Sequence, residues 1–431
     1  AFVSFDGHRS GDMATYLYRT DDFGATWVPL ATEGVDGFAH VLKQDPVNPE
    51  LLYAGTELGL FISLDGGRHW ARFKENLPPV AVNDLVVHPT EHDLIIATHG
   101  RGIFIIDDLS ALRGLTAEIM ASEVALLPSR PSPMVLAGGP TWFGSDDEFV
   151  GANPSESASI DYWLRKRHLF GDLKIEVYGD DGTLLTTLPG SKRPGLNRVG
   201  WPMRLPAPKV PPATALVPAF QGPRVPEGSY RVRLIKGKEV LEGAVTLVPD
   251  PRNPHPAEDR LLQQRTALEI YRQLEDLTFL ADRVTDLRDQ ARSRAVDLEG
   301  KERRALEAFA GSLAGLHETL VVTEGGWISG REELRERLGA LYGAVTAYEG
   351  RPSQSQLERM AQLAGELQTA AGSFDSMLGA ADGLNRSLAR RGLAPLAPLS
   401  REAWQARQQG RAGSAGAAAA AALGLAAAFG I

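Results

Sequence analysis

The chain has 431 residues, of which 43% are hydrophobic and 23% charged, with a formal net charge of −9 and no cysteine. This composition excludes collagen-like and wholly disordered chains. The missing thiols exclude disulfides, thiolate zinc sites, iron–sulfur clusters and a cysteine nucleophile, and the acidic balance gives no global grip on nucleic acid or anionic lipid.

Residues 1–112 repeat. The run Thr20-Asp21-Asp22-Phe23-Gly24-Ala25-Thr26-Trp27 returns 43 residues later as Ser63-Leu64-Asp65-Gly66-Gly67-Arg68-His69-Trp70. At the same offset Asp45-Pro46 is echoed by His88-Pro89, and Leu52 to Thr56 by Ile95 to His99. Short β-rich runs separated by Gly, Pro, Asn and Asp turns, at a period near 40–50, are the pattern of propeller blades. Within each octapeptide a hydroxyl residue opens a turn and an acid accepts nearby backbone N–H groups. Glycine supplies a positive φ and tryptophan anchors the hairpin. The residues assigned to these structural roles are Thr20, Asp21, Gly24 and Trp27 in one copy, and Ser63, Asp65, Gly67 and Trp70 in the other.

Two such octapeptides at this spacing resemble the Asp-boxes of the exported bacterial Asp-box (BNR) β-propeller proteins. This group includes sortilin-type ectodomains and proteins labelled "glycosyl hydrolase, BNR repeat". The run Val82 to Pro89 with Thr98 to Asp108 is similar to their closing blade. The resemblance implies that residues 1–112 are the C-terminal blades of a partial β-propeller. It also implies secretion or surface exposure, with a signal peptide upstream of Ala1.

Residues 113–145 read as a linker. Residues 146–251 carry strand-like runs at Ser159–Leu164, Leu173–Tyr178, Leu184–Leu188, Asn197–Trp201, Tyr230–Ile235 and Val240–Val248. Asp180-Asp181-Gly182-Thr183 makes a hairpin turn between two of them. These runs predict an Ig-like β-sandwich, in which the Pro-rich stretch 202–226 is a long surface loop. Residues 252–394 turn helical: Leu261, Leu262, Leu268, Tyr271, Leu274, Leu277, Leu280 and Val284 form one apolar stripe. Further helices are predicted from Glu302 to Val321, from Gly330 to Tyr348 after an N-cap at Ser329, and from Ser353 to about Arg390, an up-down helical bundle. The fold class is therefore multidomain, mainly β then α. Residues 395–431 are a low-complexity tail whose Ala and Gly content makes a poor membrane anchor.

Candidate chemistry is sparse. A glycosidase places two carboxylates across a cleft; Asp21 and Asp65 read as turn acids, which leaves Asp36 beside Gly37 as the loop acid to weigh. His88 and His92 are four apart, but Pro89 argues against a helical metal site. His99 and Arg101, in Thr98-His99-Gly100-Arg101-Gly102, form a candidate ligand loop whose competing reading is a tight turn. Trp142-Phe143 and Tyr162-Trp163 are candidate sugar-stacking aromatics, and alternation places one of the latter pair in the core. No metal and no cofactor is expected, and no catalytic residue is assigned.

The expected function is a non-catalytic secreted or cell-surface scaffold or binding protein. One alternative is a glycoside hydrolase whose active site lies in other blades; another is a subunit of an extracellular assembly. The expected partners are further blades, or another chain supplying them, beside Phe2–Phe5 and Ile103–Ile106, together with self-assembly and a polysaccharide or protein ligand.

Overall fold

A computed structural model describes residues 1–135, 155–213, 217–323 and 332–408. The chain is mixed β and α, with several small antiparallel sheets and a helical region. It divides into two units, one made of Ala1–Met203 with Glu227–Pro251, the other of Arg204–Pro226 with the rest of the chain from Arg252.

The first unit opens with three small sheets. Strands β1 (Phe2–Phe5), β2 (Tyr16–Arg19) and β3 (Val28–Pro29) form one. The second contains β4 (Ala39–Gln44), β5 (Leu52–Thr56), β6 (Gly59–Ser63) and β7 (Ala71–Phe73); the third contains β8 (Val82–Val87), β9 (Leu94–Thr98) and β10 (Ile103–Ile106). Strand β1 packs on β4, and β4 on β8. The central sheet is covered on both faces. Tyr53 and Leu60 join a core with Val82, Leu85 and Ile96, while Leu52, Ala54 and Phe61 join another with Leu17, Ala39 and Trp70. Strand β5 is accordingly buried along its whole length. Gly55 lets the sheets approach: a Cβ there would stand 2.6 Å from the Val82 carbonyl oxygen.

The repeat extends to an irregularity that composition does not reveal. The β4–β5 register shifts between Ala39 and Val41, and the β8–β9 register shifts between Val82 and Asp84, 43 residues further on. A bulge of this kind bends the strand and re-aims a side chain. After it the copies slip by one residue. Asp45 N–H bonds to the Leu51 carbonyl, but His88 N–H bonds to the Asp93 carbonyl, so the second turn is one residue shorter. Strand β5 therefore corresponds to Leu94–Thr98, not to Ile95–His99.

The described part of the stretch expected as a linker, residues 113–135, is folded. It contains helices α1 (Ser110–Arg113) and α2 (Ala117–Ala121) and strands β11 (Val124–Leu126) and β12 (Ser132–Met134). Beyond it lie β13 (Ala158–Leu164), β14 (Leu173–Tyr178), β15 (Leu184–Pro189), β16 (Gly195–Trp201), β17 (Gly228–Lys236) and β18 (Glu239–Pro249). Strands β11, β13 and β16 make a three-stranded sheet, and the order β12-β18-β17-β14-β15 makes a five-stranded one. Their apolar faces meet, with Trp201 on β16 edge-on to Tyr230 on β17 at 5.0 Å.

Arginine side chains join this part to the small sheets, Arg130 by pairing with Glu91 and Asp93. Arg113 donates to both oxygens of Asp45, whose side chain is fully buried. Arg198 donates to the buried Asp161 carboxylate and to the carbonyls of Asp107 and Asp108. Burial pushes the Asp161 carboxyl up, against the lowering effect of Arg198.

The second unit packs α3 (Ala257–Val296), α4 (Gly300–Leu320), α5 (Leu334–Thr346) and α6 (Gln354–Arg390) around one apolar core. Early in α3 the buried positions are Gln263, Thr266, Ala267 and Ile270, and Leu261 is exposed. Helix α5 begins one turn later than expected, with Glu333 and Glu336 forming a reciprocal capping box; the N-cap assigned to Ser329 lies outside the described residues.

The Pro-rich stretch is no surface loop. Val217 and Ala219 are buried in the helical core. Tyr342 donates to the Gln221 carbonyl, Arg335 to that of Pro211 and Thr278 to that of Lys209. A Cβ on Gly339 would stand 2.7 Å from Val217, and one on Gly343 2.5 Å from Pro218. These two glycines, one helical turn apart, open the channel in α5 that the strap fills.

Candidate functional site

The two octapeptide turns are built alike. In the second, Ser63 Oγ donates to Asp65 at 2.9 Å and accepts from Gly67 N–H at 2.9 Å; Asp65 accepts from His69 N–H at 2.9 Å. In the first, Thr20 Oγ1 donates to Asp22 at 2.8 Å and accepts from Gly24 N–H at 2.9 Å, and Asp22 accepts from Thr26 N–H at 2.8 Å. Gly24 and Gly67 have φ of 90° and 89°. The turn acid of the first copy is therefore Asp22, and the assignment to Asp21 is corrected. Asp21 points to solvent and pairs with Arg19. The 43-residue offset that pairs Thr20 with Ser63 already sets Asp22, not Asp21, opposite Asp65, and the hydrogen bonds agree. The tryptophans also differ. Trp70 is buried and donates to the Ala31 carbonyl in the connection that follows β3, whereas Trp27 is 44% exposed.

The other sequence candidates do not converge. His99 and Arg101 sit in the β9–β10 hairpin, where Gly100 and Gly102 have positive φ and Thr98 Oγ1 donates to the Gly102 carbonyl. Both side chains are exposed. His88 Nδ1 accepts from Glu91 N–H as a turn residue. Among the described residues no group of three or more His, Asp or Glu side chains could hold a metal. Tyr162 is fully buried and its hydroxyl donates to the Ser191 carbonyl, and Trp163 is partly exposed. Trp142 and Phe143 lie outside the described residues.

A constellation absent from the sequence reading forms where the β1 connection meets the start of β4. The His8 ring donates to Asp6 at 2.6 Å and stacks on Phe38 at 4.5 Å with an interplanar angle of 14°. Phe38 meets His40 edge-on at 5.1 Å, and His40 Nε2 lies 3.1 Å from Glu57. The array runs carboxylate, imidazole, phenyl, imidazole, carboxylate. Local structure holds it in place. Thr15 Oγ1 donates to the Gly37 carbonyl and Thr56 Oγ1 to that of Asp36, which pins the turn before Phe38. His40 is the bulged residue of β4. The His8 amide, and then its ring, hold the Asp6 carboxyl below the usual range. The His8 side chain is 37% exposed and that of Glu57 47%. Flat rings edged by carboxylates offer a sugar or another polyol both stacking and hydrogen-bond acceptors. Only a hint existed in sequence, because Asp6, His8, Phe38, His40 and Glu57 come from three separate segments.

No family model matches this chain, and no curated protein matches it. Among solved structures, PorZ, a surface component of the type-IX secretion system of Porphyromonas gingivalis, is 15% identical, with a TM-score of 0.18 over 54% of this chain and 35% of that one. An ancestral GH74 enzyme is 16% identical, with a TM-score of 0.18 over 55% of this chain and 28% of that one. An extracellular domain of a one-component system from B. thetaiotaomicron is 8% identical, with a TM-score of 0.18 and the same coverages. The chain thus spans about a third of the length of these structures, and scores so low carry no argument about its fold or activity. Among the described residues no helix is long and apolar enough to cross a membrane.

Proposed function

We propose that this chain is a non-catalytic binding and scaffold part of a secreted or surface-exposed protein. It comprises Asp-box propeller blades, an Ig-like β-sandwich and a helical bundle. The observation that carries the reading is the pair of identically bonded turns at Thr20 and Ser63, which commit Asp22 and Asp65 to structure. The ligand surface in this reading is the Asp6–His8–Phe38–His40–Glu57 array, and its chemistry suits a polysaccharide. The test is titration of the protein against polysaccharide fragments, with release of reducing ends measured in parallel. Saturable binding without turnover is expected. Phe38→Ala should weaken binding at least tenfold, whereas His99→Ala and Arg101→Ala should not change it. Release of reducing sugar, abolished by Asp36→Asn, would replace this reading with a glycoside hydrolase.

A second reading, a subunit of an extracellular assembly, draws on β10. Ile103 and Ile105 are 69% and 56% exposed on a strand that pairs only with β9 among the described residues. An apolar edge of this kind is a template for another strand. Strands of further blades, or of another chain, would cover it. Sedimentation of the chain as a monomer at all concentrations, with this edge open to hydrogen exchange, would remove that reading.

A further inference from the structure

Two crossovers lie side by side at one end of the two facing sheets. Residues 165–172 carry the chain from β13 in the three-stranded sheet to β14 in the five-stranded one, and residues 190–194 carry it back from β15 to β16. Hydrogen bonds tie the two together. His168 N–H donates to the Lys192 carbonyl at 3.1 Å, Lys192 Nζ to the Gly171 carbonyl at 2.8 Å, and Gly190 N–H to the Leu173 carbonyl at 2.9 Å. The Tyr162 hydroxyl holds the Ser191 carbonyl, and Asn197 Nδ2 holds those of Arg193 and Gly195. Gly171 turns the chain at a φ of 83°. This framework holds two adjacent apolar side chains out in water: Leu169 is 67% exposed and Phe170 86%. The charge around them is one-sided. The crossovers carry Arg165, Lys166, Arg167, Lys192 and Arg193 against one acid, Asp172. Arg165 pairs with Glu123. Lys166, Arg167, Lys192 and Arg193 are exposed, and none forms an ion pair among the described residues.

A single exposed apolar residue is ordinary. A Leu-Phe pair at a loop tip, where turn residues are usually polar, with unpaired cations beside it, calls for a surface that is both anionic and apolar. A soluble polyanion would satisfy the cations and leave Leu169 and Phe170 in water. An apolar protein groove would take the pair and leave the cations unmatched. A bilayer with anionic headgroups serves both: lysine and arginine heads stay among the headgroups with their stems along the acyl boundary, while the apolar pair leaves water. We propose that the crossovers 165–172 and 190–194 form a docking surface for an anionic lipid bilayer, with Leu169 and Phe170 entering the acyl boundary and Lys166, Arg167, Lys192 and Arg193 meeting headgroup phosphates. The grip is local, in a chain whose net charge is −9. No residue of the Asp6–His8–Phe38–His40–Glu57 array takes part, so the surface does not rest on the polysaccharide reading.

The test is flotation of the 431-residue protein with phosphatidylcholine vesicles, alone or with about 30% phosphatidylglycerol, at about 0.15 M salt. Saturable binding to the anionic vesicles is expected, about tenfold or more tighter than to phosphatidylcholine alone, and it should weaken at about 1 M salt, where the Debye length shrinks to about 3 Å. Leu169→Ala with Phe170→Ala should weaken it about tenfold or more, and Lys166→Glu with Arg167→Glu should remove the preference for anionic lipid. All four side chains are exposed, so both double variants should melt with the parent. The chain has no cysteine, so Phe170→Cys can carry a single environment-sensitive fluorophore. Its emission should shift to the blue on anionic vesicles, and the same label on Glu33→Cys, an exposed position among the small sheets, should not shift. Absence of saturable binding to the anionic vesicles, or of the blue shift at position 170, would overturn the proposal. So would vesicle binding indifferent to the apolar double variant; equally strong binding of dextran sulfate would then assign the surface to a soluble polyanion.

Discussion

Asp65→Ala tests the assignment of the repeat acids to structure. The carboxylate accepts from Ser63 Oγ at 2.9 Å, Arg68 N–H at 3.1 Å, His69 N–H at 2.9 Å and the His69 ring at 2.6 Å. Arg68 and His69 are exposed, so water replaces their bonds and only a few tenths of a kcal/mol each is at stake. Ser63 is fully buried, and its hydroxyl would lose its only acceptor in the turn, a cost of about 1–3 kcal/mol. The total is about 2 kcal/mol, which for a unit of this size lowers the melting temperature by roughly 4–8 °C. Scanning calorimetry and urea denaturation would measure it. Asp21→Ala, which removes only the exposed pair with Arg19, should stay within about 0.5 kcal/mol of the parent. An unchanged midpoint for Asp65→Ala, or an equal loss for Asp21→Ala, would refute the argument that the buried hydroxyl makes the acid necessary.

Three other outcomes follow from the same contacts. The Thr26 hydroxyl, the Thr26 amide and the Thr20 hydroxyl lower the Asp22 carboxyl from 3.8 to about 2. Its stabilisation is therefore present above about pH 4 and lost as the pH falls toward 2; an Asp22→Asn variant should show a shallower acid limb between these values, read by NMR or denaturant titration. In helices Gly→Ala normally stabilises by about 0.5–1 kcal/mol, and Gly372→Ala, with nothing within 4 Å of the new Cβ, should do so. Gly339→Ala should instead destabilise by about 1–3 kcal/mol because the methyl overlaps Val217; denaturant midpoints of opposite sign are the check. Arg113→Met leaves the buried Asp45 charge unpaired and should cost about 3–5 kcal/mol in equilibrium unfolding, well above the loss in Asp65→Ala.

Much of the secondary structure was legible locally. The strands from Ser159 to Val248, the start of α6 at Ser353 and the 43-residue repeat rest on alternation, capping and turn chemistry, all of which act within about ten residues. The alternation argument also placed one of Tyr162 and Trp163 in the core, and the structure buries Tyr162. Where neighbouring residues were chemically equivalent, sequence reading had no way to choose. The alignment of Leu52 with Leu94 or Ile95 is such a case. That one-residue difference is settled by a hydrogen bond made in three dimensions, from His88 N–H to the Asp93 carbonyl.

The sequence by itself determined the order β then α, the positions of most strands and helices, and the turn chemistry at Ser63, because those depend on periodicity and on residues close along the chain. Tertiary structure alone decided which distant groups meet. It gathered His8, Phe38, His40 and Glu57 into one array. It drew the Pro-rich strap into the helical core against Gly339, more than a hundred residues away. Composition made the strap look like surface, since proline-rich text lacks helix and strand signals. Its burial is set by the space that two glycines leave on a facing helix, a property of packing that no local window contains.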